Sequence, residues 1–159
     1  MHVKNTVTAA SFRLFMLRRL RSLGATAPEL TTVFNSFILP KLTYASPAWS
    51  SSLNITQMRQ LERVHKRACK IILGADYGGY DSALTTLGIP SLSQIYQQTL
   101  EKFGRGLLQH PRHRHLLPPA APRPSRALRH SNILQPIRAR TDRYKNSAIP
   151  AITKIINKS

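Results

Sequence analysis

ITQMRQLERVHKRACKIIL, residues 55–73, decides how this chain reads. Met58, Leu61, Val64, Ala68, Ile71 and Ile72 recur at the three- and four-residue intervals that put side chains on one face of an α-helix. Asn54 and Gln57 have capping-box spacing at its start, and Gly74 suits the stop after its last turn. The remaining faces carry Arg59, Arg63, Lys66, Arg67 and Lys70, with Glu62 alone opposing them. A merely solvated face usually mixes signs. Cations in this excess point to a polyanion whose phosphates they would follow.

Upstream, Val7, Ala10, Leu14, Leu17 and Leu20, with Phe15 beside them, predict a helix over residues 5–23, ended by Gly24. Arg13, Arg18, Arg19 and Arg21 make it basic. A second helix is expected from Pro28, with Leu30, Val33, Phe34, Phe37 and Ile38 inward and Pro40 as its kink or end. Residues 42–49 hold Leu42, Tyr44 and Trp49 and read as a buried helical turn or short helix, because closely spaced prolines disfavour a strand. Tyr44 and Trp49 could stack on bases, but their apolar setting favours core packing.

Downstream, residues 50–54 read as a loop, and Gly78-Gly79 as a turn. A short helix over 81–87, capped by Asp81, closes at Gly88-Ile89-Pro90. A longer helix over 91–109 follows, with Ser91 and Gln94 as its capping box. Leu92, Ile95, Leu100, Phe103 and Leu107 form its stripe, weakened near its end by Gly104 and Gly106. From Pro111 to Pro136 the chain holds six prolines among Arg and His, the composition of an extended basic linker. A last short helix is expected over 150–157 on Ile152, Ile155 and Ile156. The fold class is therefore mainly α: a small bundle of about five helices over 1–109, a basic Pro-rich linker over 110–136, and a basic C-terminal segment with a short helix over 137–159.

Charge dominates the composition. Lys and Arg number 24 against 6 Asp and Glu, a formal net charge of +18. Nucleic acid is the polyanion best matched to that excess. No run reaches the roughly 18 apolar residues of a spanning helix, and the first ten residues lack a signal-like apolar stretch. A lone Cys69 allows no internal disulfide. The expected setting is intracellular, nuclear or cytoplasmic, without secretion or membrane partner. Phosphate contacts are expected from Arg59, Arg63, Lys66, Arg67 and Lys70, then from Arg18 and Arg19. In the C-terminal arm they are expected from Arg138, Arg140 and Arg143, where a passive tether is the alternative.

Catalysis finds little to work with. Two-metal chemistry needs convergent carboxylates, and Glu29, Glu62, Asp76, Asp81, Glu101 and Asp142 are scattered. His110, His113 and His115 have neither Cys nor carboxylate beside them for a metal site. Cys69 and His65 lie one turn apart, but no third orienting group is visible, and Cys69 reads as a small interface residue. No phosphate-cradling glycine loop occurs. No catalytic residue, cofactor or metal is expected.

FRLFMLRRLRSL at 12–23, FILPKLTYASPAW at 37–49, LERVHKRACKIILG at 61–74, YDSALTTLGIPSL at 80–92 and RTDRYKNSAIP at 140–150 occur in this order. Together they resemble the region after the catalytic palm in reverse transcriptases of non-LTR retrotransposons. The resemblance spans nearly the whole chain. It implies a helical thumb and the extension beyond it, which hold template and primer against a palm that supplies the catalytic aspartates. The partners implied are an RNA or DNA backbone and the palm of a parent RNA-directed DNA polymerase, with Met1 internal to a longer reading frame. Apolar surface left by a missing palm would favour self-association. His65 stands where relatives often have Gln, and Ile95-Tyr96 where they often have two arginines. A lesser resemblance, to the N-terminal segment of AlkB homologues, brings no oxygenase chemistry, because the chain has no His-x-Asp. The alternatives are a basic interaction module or gene remnant without a nucleic-acid role, and a free-standing nuclease or oxygenase.

Overall fold

The computed structural model describes residues 2–122 and 133–158. They are mainly helical and divide into two compact units. The first takes residues up to 44 and 54–95; the second takes 45–53 and the described residues from 96 onward. The units do not follow the composition boundaries at 110 and 137, and part of the expected linker, 123–132, lies outside the described residues.

In the first unit, α1 (His2–Ser22) packs along α5 (Ile55–Leu73). Helix α1 buries Val3, Thr6, Ala10, Leu14 and Leu17, a three- and four-residue stripe. Leu20 and Phe15 are exposed, correcting the expected inner face. The stripe continues one turn on to Arg21, whose half-buried side chain turns towards the end of α5. Helix α5 buries Leu61, Val64, His65, Ala68, Cys69, Ile72 and Leu73. Its Asn54 side chain accepts from the Gln57 N–H at 2.8 Å and the Gln57 side chain accepts from the Asn54 N–H at 3.1 Å, so the capping box forms. Each fully buried Leu or Ile stabilises by about 1.5–3 kcal/mol.

Between them run α2 (Ala27–Val33), a π-helical turn at Phe34–Ile38, and α3 (Leu39–Thr43). The π turn has a local cause. Pro40 offers no N–H, and its ring would meet the Ser36 carbonyl in a regular helix. Widening one turn absorbs the conflict, and the Leu39 N–H bonds the Phe34 carbonyl five residues back. Leu30, Phe34, Ile38 and Leu42 remain buried. Phe37 faces solvent instead of the core, under the Arg13 guanidinium at 4.3 Å. Helix α6 (Tyr80–Leu87) is entered through Gly79, and Asp81 sits in its first turn, not at its cap.

Ala45, the one described non-glycine residue with positive φ, turns the chain into the second unit. Tyr44, just before it, is 75% exposed, against the core placement expected. Trp49 of α4 (Ser46–Trp49) packs edge-on against Tyr96 at 5.4 Å. Helix α7 (Leu92–Gln109) gives the second unit most of its length, and the box between Ser91 and Gln94 forms at its start. Phe103 is exposed, and Tyr96 is buried instead. Helices α8 (Asp142–Lys145) and α9 (Ala148–Ile156) complete the unit.

The described flanks of the proline-rich stretch are mostly exposed, but two leucines anchor them. Leu117 and Leu134 join Leu100, Leu107, Ile152 and Ile156 in one core. Ala120 and Leu134 form an antiparallel bridge, and the Asn157 amide satisfies both the N–H and the carbonyl of Leu134 at 2.9 Å each. Among the described residues no helix is long and apolar enough to cross a membrane.

Gly104 is a packing requirement, not a weak point. A Cβ there would lie 2.5 Å from Ile152 Cγ2, whereas one at Gly106 would meet nothing within 4 Å. Gly104→Ala should therefore cost about 1–3 kcal/mol through overpacking, while Gly106→Ala should gain about 0.5–1 kcal/mol. Urea unfolding followed by Trp49 fluorescence reads both.

Candidate nucleic-acid interface

Helix α5 sorts its side chains by periodicity. With its apolar stripe held against α1, Arg59, Arg63, Lys66, Arg67 and Lys70 are all exposed. Arg59, Arg63, Lys66 and Lys70 repeat at four, three and four residues, one cationic line along the helix. Arg59, Arg63 and Lys66 line a concavity of about 480 Å³ with Ile55, Met58 and Glu62.

The one acid on this helix is engaged elsewhere. The Tyr80 hydroxyl donates to Glu62 Oε1 at 2.8 Å, and the Tyr80 hydroxyl oxygen lies 2.8 Å from His65 Nδ1. With Tyr80 donating to Glu62, Nδ1 carries the proton and donates to Tyr80. The Lys66 ammonium sits 4.7 Å over the Tyr80 ring. Burial first, then the Glu62 carboxylate, pushes the Tyr80 hydroxyl far above its ordinary value, so it stays a donor. Among the described residues the ion pair is Arg105–Glu101 at 2.9 Å, and no α5 cation lies within salt-bridge distance of a carboxylate. Glu29 is likewise committed, accepting from the Thr26 N–H and hydroxyl at 2.8 Å each.

The four arginines of α1 separate into two pairs. Arg13 donates to the Phe37 carbonyl, and Arg21 donates to the carbonyls of Ile71 and Ile72 at the end of α5. Those carbonyls are among the last of the helix, where intrahelical donors run out. Arg21 is thus a cap supplied from another helix, a role its position among basic residues does not signal. Arg18 and Arg19 are exposed. Arg138, Arg140 and Arg143 are exposed in the second unit, Arg143 on α8.

Cys69 and His65 do not form a nucleophile pair. Both are buried, His65 is occupied by Tyr80, and burial raises the Cys69 thiol to about 11. His110 and His113 stack on each other with ring centroids 4.6 Å apart. Among the described residues no three His, Cys, Asp or Glu side chains group as metal ligands would. Compared with family models, curated proteins and solved structures, the chain matches none. What this surface offers chemically is a surplus of exposed positive charge on one helix. Its organiser, Tyr80, was missed in the sequence because it lies outside α5, although Glu62 and His65 share one helical face.

Burial lowers His65 to about 4 from 6.5. Between those values the unfolded chain takes up a proton that the folded chain refuses, so stability is full above 6.5 and falls as pH drops towards 4, by up to about 3 kcal/mol. His65→Gln keeps a partner for Tyr80 without titrating and should flatten that slope, read as urea midpoints across pH. A Cβ on Gly74 would overlap Arg21 Nη2 at 1.7 Å. Arg21→Ala and Gly74→Ala should each cost about 1–3 kcal/mol, and the double variant less than their sum, since both lose the same cap.

Proposed function

We propose that this chain is a non-catalytic, sequence-independent nucleic-acid-binding module. In that role it would act like the thumb and post-thumb region of a non-LTR retrotransposon reverse transcriptase, supporting template and primer beside the palm of a parent polymerase. The observation that carries the reading is the cationic line of α5, whose only acid accepts from Tyr80. From Arg59 to Lys70 a regular helix rises about 16 Å, long enough to meet several phosphates of one strand. Contacts from such cations to phosphates carry no sequence information, so binding through them gives affinity without sequence preference. The family part of the reading is supported by the ordered sequence blocks and the helical bundle.

One observation favours a second reading, a protein-interaction module. The outer side of α1 exposes Phe12, Phe15 and Met16, with Leu23 exposed just beyond its end, a run of large apolar side chains in water. That face would serve a protein partner or self-association, and a mass that rises with concentration at high salt would identify the latter.

Binding to a short duplex should weaken steeply with salt, by orders of magnitude between roughly 50 and 200 mM. The R59Q/R63Q/K66Q variant should lower the slope of log affinity against log salt by about 2 to 3, close to one per lost phosphate contact. An affinity that does not respond to salt would remove the proposal.

A further inference from the structure

The ends of α1 and α5 bring together a separate concavity of about 530 Å³, lined by Arg18, Arg21, Arg67, Lys70, Ile71 and Gly74. Four of these six residues are cations and none is an acid. Arg21 cannot swing away, because the Ile71 and Ile72 carbonyls hold its guanidinium and Gly74 leaves the room it occupies. Arg18, Arg67 and Lys70 are exposed around it, without a carboxylate partner among the described residues.

We propose that this concavity binds a terminal phosphate monoester, as found at the 5′ end of an oligonucleotide. The inference rests on the nucleic-acid reading above and adds end recognition to it. Like charges gathered in one concavity repel, and the ligand that relieves them best carries most negative charge in least volume. A monoester brings a charge of about −1.5 to −2 and three acceptor oxygens, whereas a diester brings one charge spread over two free oxygens. Guanidinium forks meet such oxygens in pairs, and Lys70 adds a point charge. Fixing Arg21 in advance removes the ordering cost of one donor.

The test uses the full chain and a short oligothymidine labelled at its 3′ end, carrying either a 5′-phosphate or a 5′-hydroxyl, with binding read by fluorescence anisotropy. The phosphorylated strand should bind about tenfold more tightly, as one or two charge-assisted hydrogen bonds would give. Inorganic phosphate should compete that advantage away. R18Q/K70Q should bring the ratio of the two affinities to about one, and R67Q alone should lower it independently. R59Q/R63Q should weaken both strands alike and keep the ratio. Equal affinities of the unaltered chain for the two ends would overturn end recognition while leaving salt-dependent binding intact. A ratio that survives both R18Q/K70Q and R67Q would overturn this location, and absence of binding to either strand would overturn the nucleic-acid reading with it.

Discussion

The packing of α1 along α5 constrains where the charge of the first unit can go. Both helices bury a stripe repeating at three and four residues, and the buried set includes Ala10, Leu14, Leu17, Leu61, Val64 and Ala68. Once those residues are out of water, the helical repeat leaves the basic residues of α5 no place but the outside. Burying any of them unpaired would cost far more than one Leu returns. The cationic surface is therefore a consequence of the apolar one.

That arrangement holds because the few acids are used locally. Glu62 accepts from Tyr80, Glu29 caps α2, and Glu101 pairs with Arg105 along α7. Among the described residues none pairs with the outer line of α5. The Glu62–Tyr80–His65 chain also brings a polar element into the core. His65 is fully buried, its Nδ1 is satisfied by Tyr80, Nε2 has no partner among the described residues, and the ring lies edge-on to Phe34 with centroids 5.2 Å apart. The neutral imidazole tolerates this place, and the charged one does not.

The second unit is assembled differently. Its core is small and depends on close approach at Gly104 and on Asn157 standing in for a backbone partner of Leu134. Both contacts join residues far apart in sequence. Proline-rich composition around them disfavours regular structure but does not forbid packing: Leu117 and Leu134 are buried all the same. A few well-placed apolar side chains decide the matter there, since prolines give up little further backbone entropy on ordering.

Periodicity and capping chemistry alone determined the mainly helical class, the bounds of α5 and its two capping residues, and the start of α7, because these are contacts within five residues of chain. The same logic made the α5 cations legible as an outward face. Which arginines of α1 are tethered to other elements was decided only by tertiary structure. Arg13 and Arg21 are drawn to carbonyls of Phe37, Ile71 and Ile72, and a sequence shows the donors without showing where those acceptors come to rest. Exposure of Leu20, Phe37, Tyr44 and Phe103, burial of Tyr96 and the fit of Gly104 against Ile152 were settled in the same way. An amphipathic stripe fixes which side of a helix is apolar, but how far along it a neighbour reaches depends on distant elements and their steric fit.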